Sequence, residues 1–360
     1  MMRGWTFTRR GTPSAVLKLR SDLPKPTPAQ LHADEVIVKV SHVAIDQGVA
    51  ALMGLFPHLN SKPWIPGLDF SGVVDAVGSN VTHVRPGDMV FGSPNPKANP
   101  LWGRKYNGTI VEYAILPAGL VVRKPPNISI EAASTLACNG CTAVQFIELA
   151  GMKRGDRVLI TGASGGLGTL MIQAVRAAVG DEGTIVGTCS VANEELVKKL
   201  GANEVIDYRA HPVLHEHLRT KYSTDPFNSI IDIAGNDELL YDKSPGYMKP
   251  DGVFILGGKM SVTHGGGSVG FLSILGFALN FTLKTCRPLL LGGTPRKGLF
   301  HSANITPDSI RKTAALVEAG HLTGTIDTEY AMEDALKAFE AVARGRARGK
   351  YLIRVQDVPN

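Results

Sequence analysis

Residues 155–168 read Gly-Asp-Arg-Val-Leu-Ile-Thr-Gly-Ala-Ser-Gly-Gly-Leu-Gly, and this stretch decides the fold. Arg157–Thr161 is a short apolar run bounded by turn residues, which predicts a buried strand. From Leu167 to Val179 the apolar residues recur at helical spacing. A strand that enters a helix through a glycine-rich turn is the opening unit of a parallel sheet.

Outward from this unit the same rhythm continues. Thr184–Cys189, Glu204–Tyr208, Ser229–Ile233 and Gly252–Gly257 read as strands, with a helix expected at Glu194–Leu200. Strands separated by helical stretches give a doubly wound parallel sheet. Towards the N-terminus the pattern changes. Glu35–Val40 alternates as a half-buried strand would, and Phe70–Val77 and Asp88–Phe91 follow. Gly and Pro punctuate these strands at Pro66-Gly67, Gly78 and Pro86-Gly87, as in a compact β-barrel. Past residue 290, helices are expected at Pro307–Ala319 and Ala331–Arg344 and a last strand at Lys350–Val355. Pro125-Pro126 marks the expected boundary between the two domains.

Composition narrows the function classes. The chain has 360 residues, long enough for two domains. With 44% hydrophobic and 19% charged residues it is expected to be globular. The net charge of +6 raises the question of nucleic acid. The one dense basic stretch, Arg344, Arg346, Arg348 and Lys350, alternates as a solvated strand face does, and no nucleic-acid-reading motif is present. The excess positive charge suits an anionic dinucleotide. Four cysteines, Cys138, Cys141, Cys189 and Cys286, form no dense framework, so reduced thiols and a cytoplasmic location are expected. Ser268–Leu283 is the most apolar segment, but it is too short and too polar to span a membrane. It reads as a buried helix or pocket lid, with peripheral membrane contact as the alternative.

The glycine-rich turn is the expected phosphate site. Ser164, Gly165, Gly166, Leu167 and Gly168 stand where backbone N–H groups at a helix start meet a pyrophosphate. Gly165 admits the phosphate and Gly168 admits the strand, while Ala163 replaces the first glycine of the strict fingerprint. NAD sites carry an acid at the end of the second strand. Here the strand ends in Thr188-Cys189-Ser190, and Ser190 can donate to a phosphate oxygen. A carboxylate there would repel a 2′-phosphate by roughly 1–4 kcal/mol, so NADPH is the expected cofactor.

Three further stretches make the pattern specific: Pro66–Val74 (PGLDFSGVV), Arg85–Gly92 (RPGDMVFG) and Gly108–Ala114 (GTIVEYA). With Gly155–Gly168, Leu200–Tyr208 and Arg344–Lys350 they resemble the zinc-free medium-chain dehydrogenase/reductase superfamily. The likeness is to its quinone oxidoreductase and fungal enoyl reductase-like branch, and residues 259–290 match least well. The resemblance implies a GroES-like β-barrel domain from residues 1–125 and 290–360, with a Rossmann NADPH-binding domain at 126–289 inserted between. It also implies a homodimer joined through the cofactor-domain sheets.

By the same resemblance Ser190, Asn193 and Tyr208 hold the adenosine 2′-phosphate, assisted by Arg346. Leu256 and Gly257 lie by the nicotinamide, and Asp46 and Thr142 by its ribose or ring. Cys138 and Asn139 are expected at the substrate site with Phe56, Trp64, Phe271 and Phe277; the four aromatics would make an apolar substrate wall, with ordinary core as their alternative reading.

The departures from the family matter as much. Where zinc alcohol dehydrogenases take their metal with Cys, His and Cys, this chain aligns Asp46, Leu68 and Cys138. Two donors are too few for a catalytic zinc site, so no metal is expected. The Cys138-x-x-Cys141 spacing has no second pair, which favours two small helical residues over a metal or redox site. Without a Lewis acid the easier substrates are a conjugated C=C beside a carbonyl, or a quinone. A proton donor is not obvious. The tyrosine of a family Gly-x-Tyr-Pro stretch is Phe56 here, and the acid of an Asn-Pro-x-Asp motif is Val49. Lys259 and Tyr106 are the two substitutes. Three functions therefore stand open: an NADPH-dependent reductase of enones or quinones, a trans-acting enoyl reductase partnering a polyketide synthase, and a non-catalytic cofactor-binding protein.

Overall fold

The computed structural model describes residues 1–55, 63–95, 108–257, 271–302 and 304–358, without the side chains of 52, 54, 55, 271–275, 277 and 278. The described residues of Met1–Thr142 and Ala303–Asn360 form one compact unit, and those of Ala143–Lys259 and Leu272–Ser302 form the other.

The first unit opens with β1 (Met2–Thr6), α1 (Pro13–Val16) and β2 (Lys18–Leu23), the two strands pairing antiparallel. Next come β3 (Glu35–Ile45), α2 (Gln47–Leu55), β4 (Phe70–Val77), β5 (Met89–Gly92), β6 (Tyr113–Pro117) and β7 (Val121–Arg123). They precede α3 (Ile130–Ala133) and α4 (Ala137–Ala150). Glu35–Val40 was expected to be half-buried and short. Instead β3 runs to Ile45, and all its residues except Lys39 are buried. The reason is its partners: it pairs with β4 on one side and with β6 and then Tyr351–Arg354 on the other. Helices α2 and α3 pack over it as well.

The second unit holds β8 (Arg157–Thr161), α5 (Gly166–Val179), β9 (Thr184–Cys189), α6 (Glu194–Lys199), β10 (Glu204–Asp207) and α7 (Leu214–Tyr222). It continues with β11 (Phe227–Asp232), β12 (Met248–Gly257), α8 (Phe271–Cys286) and β13 (Lys297–His301). The strands form one sheet in the order β10-β9-β8-β11-β12-β13, parallel throughout. The order reverses between β8 and β11. This is the Rossmann arrangement, in which ligands bind outside the carboxyl ends of the strands at the reversal. Leu159, Val186, Ile230 and Phe254 pack its core. On α8, Phe281 is buried against Tyr241 and Phe254, while Leu279 and Leu283 are 56% and 60% exposed. Among the described side chains of α8, Phe281 alone is buried. Among the described residues no helix is long and apolar enough to cross a membrane.

The chain then adds α9 (Pro307–Glu318), β14 (Ile326–Ala331), α10 (Ala335–Ala343) and β15 (Lys350–Arg354) to the first unit. Its main sheet has the order β14-β15-β3-β4-β5-β7, with β6 on β3. Thr306 caps α9 by accepting from the Ser309 N–H, and Pro307 occupies the first turn.

The packing units do not coincide with the domains expected at 126 and 290; they divide at residues 142 and 303. Asn127 Nδ2 donates to Val317 O and Cys138 N to Asp69 Oδ1, which fastens residues 126–142 to the first unit. Residues 290–301 stay in the second because β13 pairs with β12. Nor do residues 344–350 form a solvated strand face. Arg344, Arg346 and Arg348 are exposed in a turn, whereas Lys350 begins β15 and is 2% exposed.

Candidate active site

The carboxyl ends of β8 and β11 are stitched together. Thr161 Oγ1 donates to Asp232 Oδ1 at 2.6 Å and accepts from the N–H groups of Ile233 and Ala234. Asp232 Oδ1 also accepts from Gly235 N at 2.8 Å. On the other side, Gly162 N donates to Thr188 Oγ1 and Ala163 N to Thr188 O, joining the turn to β9. The glycine-rich turn is thus fixed on both flanks. Gly162 takes φ +66°, a left-handed conformation that favours glycine. A Cβ on Gly168 would lie 2.2 Å from Gly162 O, so the helix–turn contact requires glycine. A Cβ on Gly165 meets nothing closer than 3.5 Å, which leaves room for a ligand at the start of α5. Gly165 caps that helix without a side chain. A helix start of this kind fits a diphosphate.

Beyond β9, Asn193 Nδ2 donates to Ser164 Oγ at 3.1 Å, so two of the expected cofactor residues meet. Ser190 is 9% exposed at the carboxyl end of β9. Glu194 engages Lys198 at 2.7 Å within α6. Tyr208 is exposed, and its N–H reaches Cys189 O across the strand ends. Arg209, which the sequence reading passed over, lies with its guanidinium carbon 5.8 Å from the Tyr208 ring centre. A hydrogen bond to Tyr208 holds Arg209 above its usual range.

On the opposite half of the sheet, Leu256 pairs in register with Asp232 and Phe300, and Gly257 with His301. A Cβ on Gly257 would sit 3.3 Å from the Phe146 ring. His301 Nε2 lies 2.7 Å from Gln145 Oε1, and its ring meets Phe146 edge-on at 5.5 Å.

In the first unit the structure assembles a charged cluster. Lys350 Nζ lies 2.6 Å from Asp69 Oδ2 and 3.4 Å from Asp46 Oδ2. Burial works to lower the Lys350 ammonium, but the charges of Asp69 and Asp46 outweigh it and hold the group above its ordinary range. Burial pushes the Asp69 carboxyl up, and Lys350 partly offsets this. Asp46 Oδ1 accepts from Gly48 N and Val49 N at the start of α2. Thr142 donates to Cys138 O at 2.8 Å within α4. Burial raises the thiols of Cys138 and Cys141, the latter to about 11, so neither is a ready thiolate.

These residues do not fit a catalytic zinc. Leu68 offers no donor side chain and Asp69 is engaged by an ammonium. Among the described residues no group of three or more His, Cys, Asp or Glu is placed to hold a metal.

Several expected residues stand elsewhere. Phe56, Tyr106 and Lys259 lie outside the described residues, as do the side chains of Phe271 and Phe277. Trp64 packs edge-on against Phe7 at 6.2 Å, beside the barrel core. Asn139 is buried in the first turn of α4, and Arg346 is exposed in the turn after α10. The side chains given no role from sequence are Thr161, Asp232, Asp69, Lys350, Arg209, Gln145 and His301. Of these, Thr161 stood within the quoted glycine-rich stretch, Asp232 within a predicted strand, Asp69 within a quoted motif and Lys350 within a quoted basic stretch.

Family models match the chain in two places. One, for the alcohol dehydrogenase GroES-like domain, covers residues 32–126, and one for zinc-binding dehydrogenases covers residues 200–353. The chain is 33% identical over 389 aligned residues to the trans-enoyl reductase poxH of Penicillium oxalicum, across 99% of this chain and 98% of that protein. It is 32% identical over 375 to the medium chain reductase pydE of an Acremonium species, across 98% and 99%. Among solved structures, a quinone oxidoreductase from Coxiella burnetii matches with a TM-score of 0.75 at 24% identity, over 99% of both chains. An NAD-dependent alcohol dehydrogenase matches at 0.79 and 23%, over 99% and 100%. At those identities the structural likeness speaks to the fold.

Proposed function

Because the chain belongs to the medium-chain dehydrogenase/reductase superfamily, we propose that it is an NADPH-dependent reductase acting on an activated C=C or a quinone without catalytic zinc. Its main support is the carboxyl edge of the parallel sheet. There α5 starts at a cap without a side chain, and Ser190 follows β9 at the position where an NAD site carries a carboxylate.

In this reading Ser164–Gly168 hold the diphosphate through backbone N–H groups. Ser190, Asn193 and Tyr208 hold the 2′-phosphate end, with Arg209 adding a positive charge. Leu256 and Gly257 line the nicotinamide end. Bound NADPH supplies the hydride. The chain supplies orientation and donors for the charge that grows on the carbonyl oxygen of the acceptor. A conjugated double bond or a quinone suits such a site, because neither needs a metal to polarise it.

The names of the relatives favour a second, narrower reading, a trans-acting enoyl reductase that serves a polyketide synthase. A carrier-bound enoyl chain reduced far faster than its free thioester would support it, and equal rates would count against it. The broader reading is tested by titrating NADPH and NADH and measuring zinc content. Tighter NADPH binding and far less than one zinc per chain are expected. Equal binding of NADH would defeat the Ser190 assignment, and one zinc per chain would defeat the metal-free one.

A further inference from the structure

We infer that His301 is the proton donor of the reduction, held in place by Gln145; the inference rests on the NADPH reductase reading above. The sheet order carries the argument. With the diphosphate at the β8–α5 turn and the 2′-phosphate end towards β9, an extended dinucleotide runs the other way across the reversal, towards β11 and β12. Strands about 4.8 Å apart put β12 roughly 10 Å and β13 roughly 14 Å from β8. The reacting end therefore lies by Gly257, and the acceptor beyond it lies by the carboxyl end of β13. That strand ends in His301, which pairs in register with Gly257.

The side chain is built to stay put. Its Nε2 lies 2.7 Å from Gln145 Oε1, and the Phe146 ring stands edge-on beside it at 5.5 Å. The ring is half-buried. With Nε2–H donated to the Gln145 carbonyl, the proton for delivery sits on Nδ1 of the imidazolium. Histidine is the side chain that ordinarily changes charge between about pH 5 and 8.

The step balances. The hydride brings its electron pair to the β-carbon, and the π pair of the C=C moves to the α-carbon and its carbonyl. The Nδ1–H bond then breaks, a C–H bond forms at the α-carbon, and neutral imidazole regains its proton from solvent. General acids of this kind contribute about 10²- to 10⁴-fold.

His301→Gln, with His301→Asn as a second variant, tests this. Each is first checked for wild-type circular dichroism and an NADPH Kd within about twofold of wild type. Using the enone or enoyl thioester that the wild-type protein reduces fastest, kcat is expected to fall about 100-fold or more in both. The fall of kcat towards high pH is expected to disappear as well. Gln145→Leu should keep part of the activity. A readout without turnover is the histidine ring 1H–15N spectrum. The cross-peak absent from His301→Gln is expected to shift when NADP+ and the saturated product are added to the wild-type protein. An unchanged kcat and pH profile in a folded, NADPH-binding variant would overturn the inference and leave the reductase reading standing, as would a cross-peak that does not move. No hydride transfer by the wild-type protein to any enone, enoyl thioester or quinone would overturn both.

Discussion

Lys350 Nζ lies 2.6 Å from Asp69 Oδ2, and the two side chains are 3% and 1% exposed. They are 281 residues apart in the chain. Asp69 spends its second oxygen on the N–H of Cys138 at the start of α4, so one carboxylate ties β4, α4 and β15 together. A buried charge left alone is expensive, which makes the pair more costly to break than to replace whole.

Lys350→Met should therefore destabilise the protein by about 3–5 kcal/mol, read from denaturant midpoints. The double change with Asp69→Asn should cost clearly less than the sum of the two single changes. Strict additivity would mean that the two groups do not act as a pair.

His42 gives a pH dependence. It is buried, with Ser41 Oγ 2.9 Å from Nδ1 and Glu329 3.4 Å from Nε2. Burial lowers its pKa below the ordinary 6.5, against the opposing charges of Glu329 and Glu131. The unfolded chain then takes up the proton first as the pH falls, so stability should decrease from about pH 6.5 downwards, by at most about 1.4 kcal/mol per unit. His42→Gln should flatten the curve below about pH 6.5. A variant curve parallel to wild type would remove His42 as the cause.

Two glycines of the turn should separate stability from binding. Gly168→Ala forces a Cβ to 2.2 Å from Gly162 O and should cost about 1–3 kcal/mol. Gly165→Ala meets nothing closer than 3.5 Å, so it should fold normally and yet bind NADPH more weakly. Normal NADPH binding by Gly165→Ala would argue that the phosphates lie elsewhere.

Ser190→Asp puts a carboxylate at the end of β9. The repulsion of a 2′-phosphate should lower the NADPH-to-NADH preference by about tenfold or more in kcat/KM. An unchanged preference would show that Ser190 is not at the phosphate.

The parallel sheet was legible in the sequence because each of its strands, apart from β13, contains a short apolar run, down to the two residues Val205 and Ile206 of β10. Thr184–Cys189 was read to the residue. β13 was missed because Lys-Gly-Leu-Phe-His has no clear period, and it is half-exposed at the sheet edge. The glycine-rich turn was legible for a local reason, since a strand, a turn and a helix follow one another directly. The rest of the site is not local. Lys350 looked like one more basic residue in an exposed alternation, and its partner lies at the other end of the chain. His301 and Gln145 are 156 residues apart and meet because β13 closes the sheet beside the segment that begins the second unit. Spacing along a sequence carries no trace of such pairs.

The reaction proposed for this protein is hydride transfer from NADPH to an activated acceptor without zinc. It is tested most directly by incubating the chelator-treated protein with NADPH deuterated at C4 and a panel of enones, enoyl thioesters and quinones, followed by mass spectrometry and NMR of the products. Deuterium at the β-carbon of a reduced enone or thioester, or NADPH-dependent quinone reduction, is the predicted result. A folded protein that binds NADPH yet oxidises none of it with any acceptor, or that works only after zinc is restored, would contradict the account.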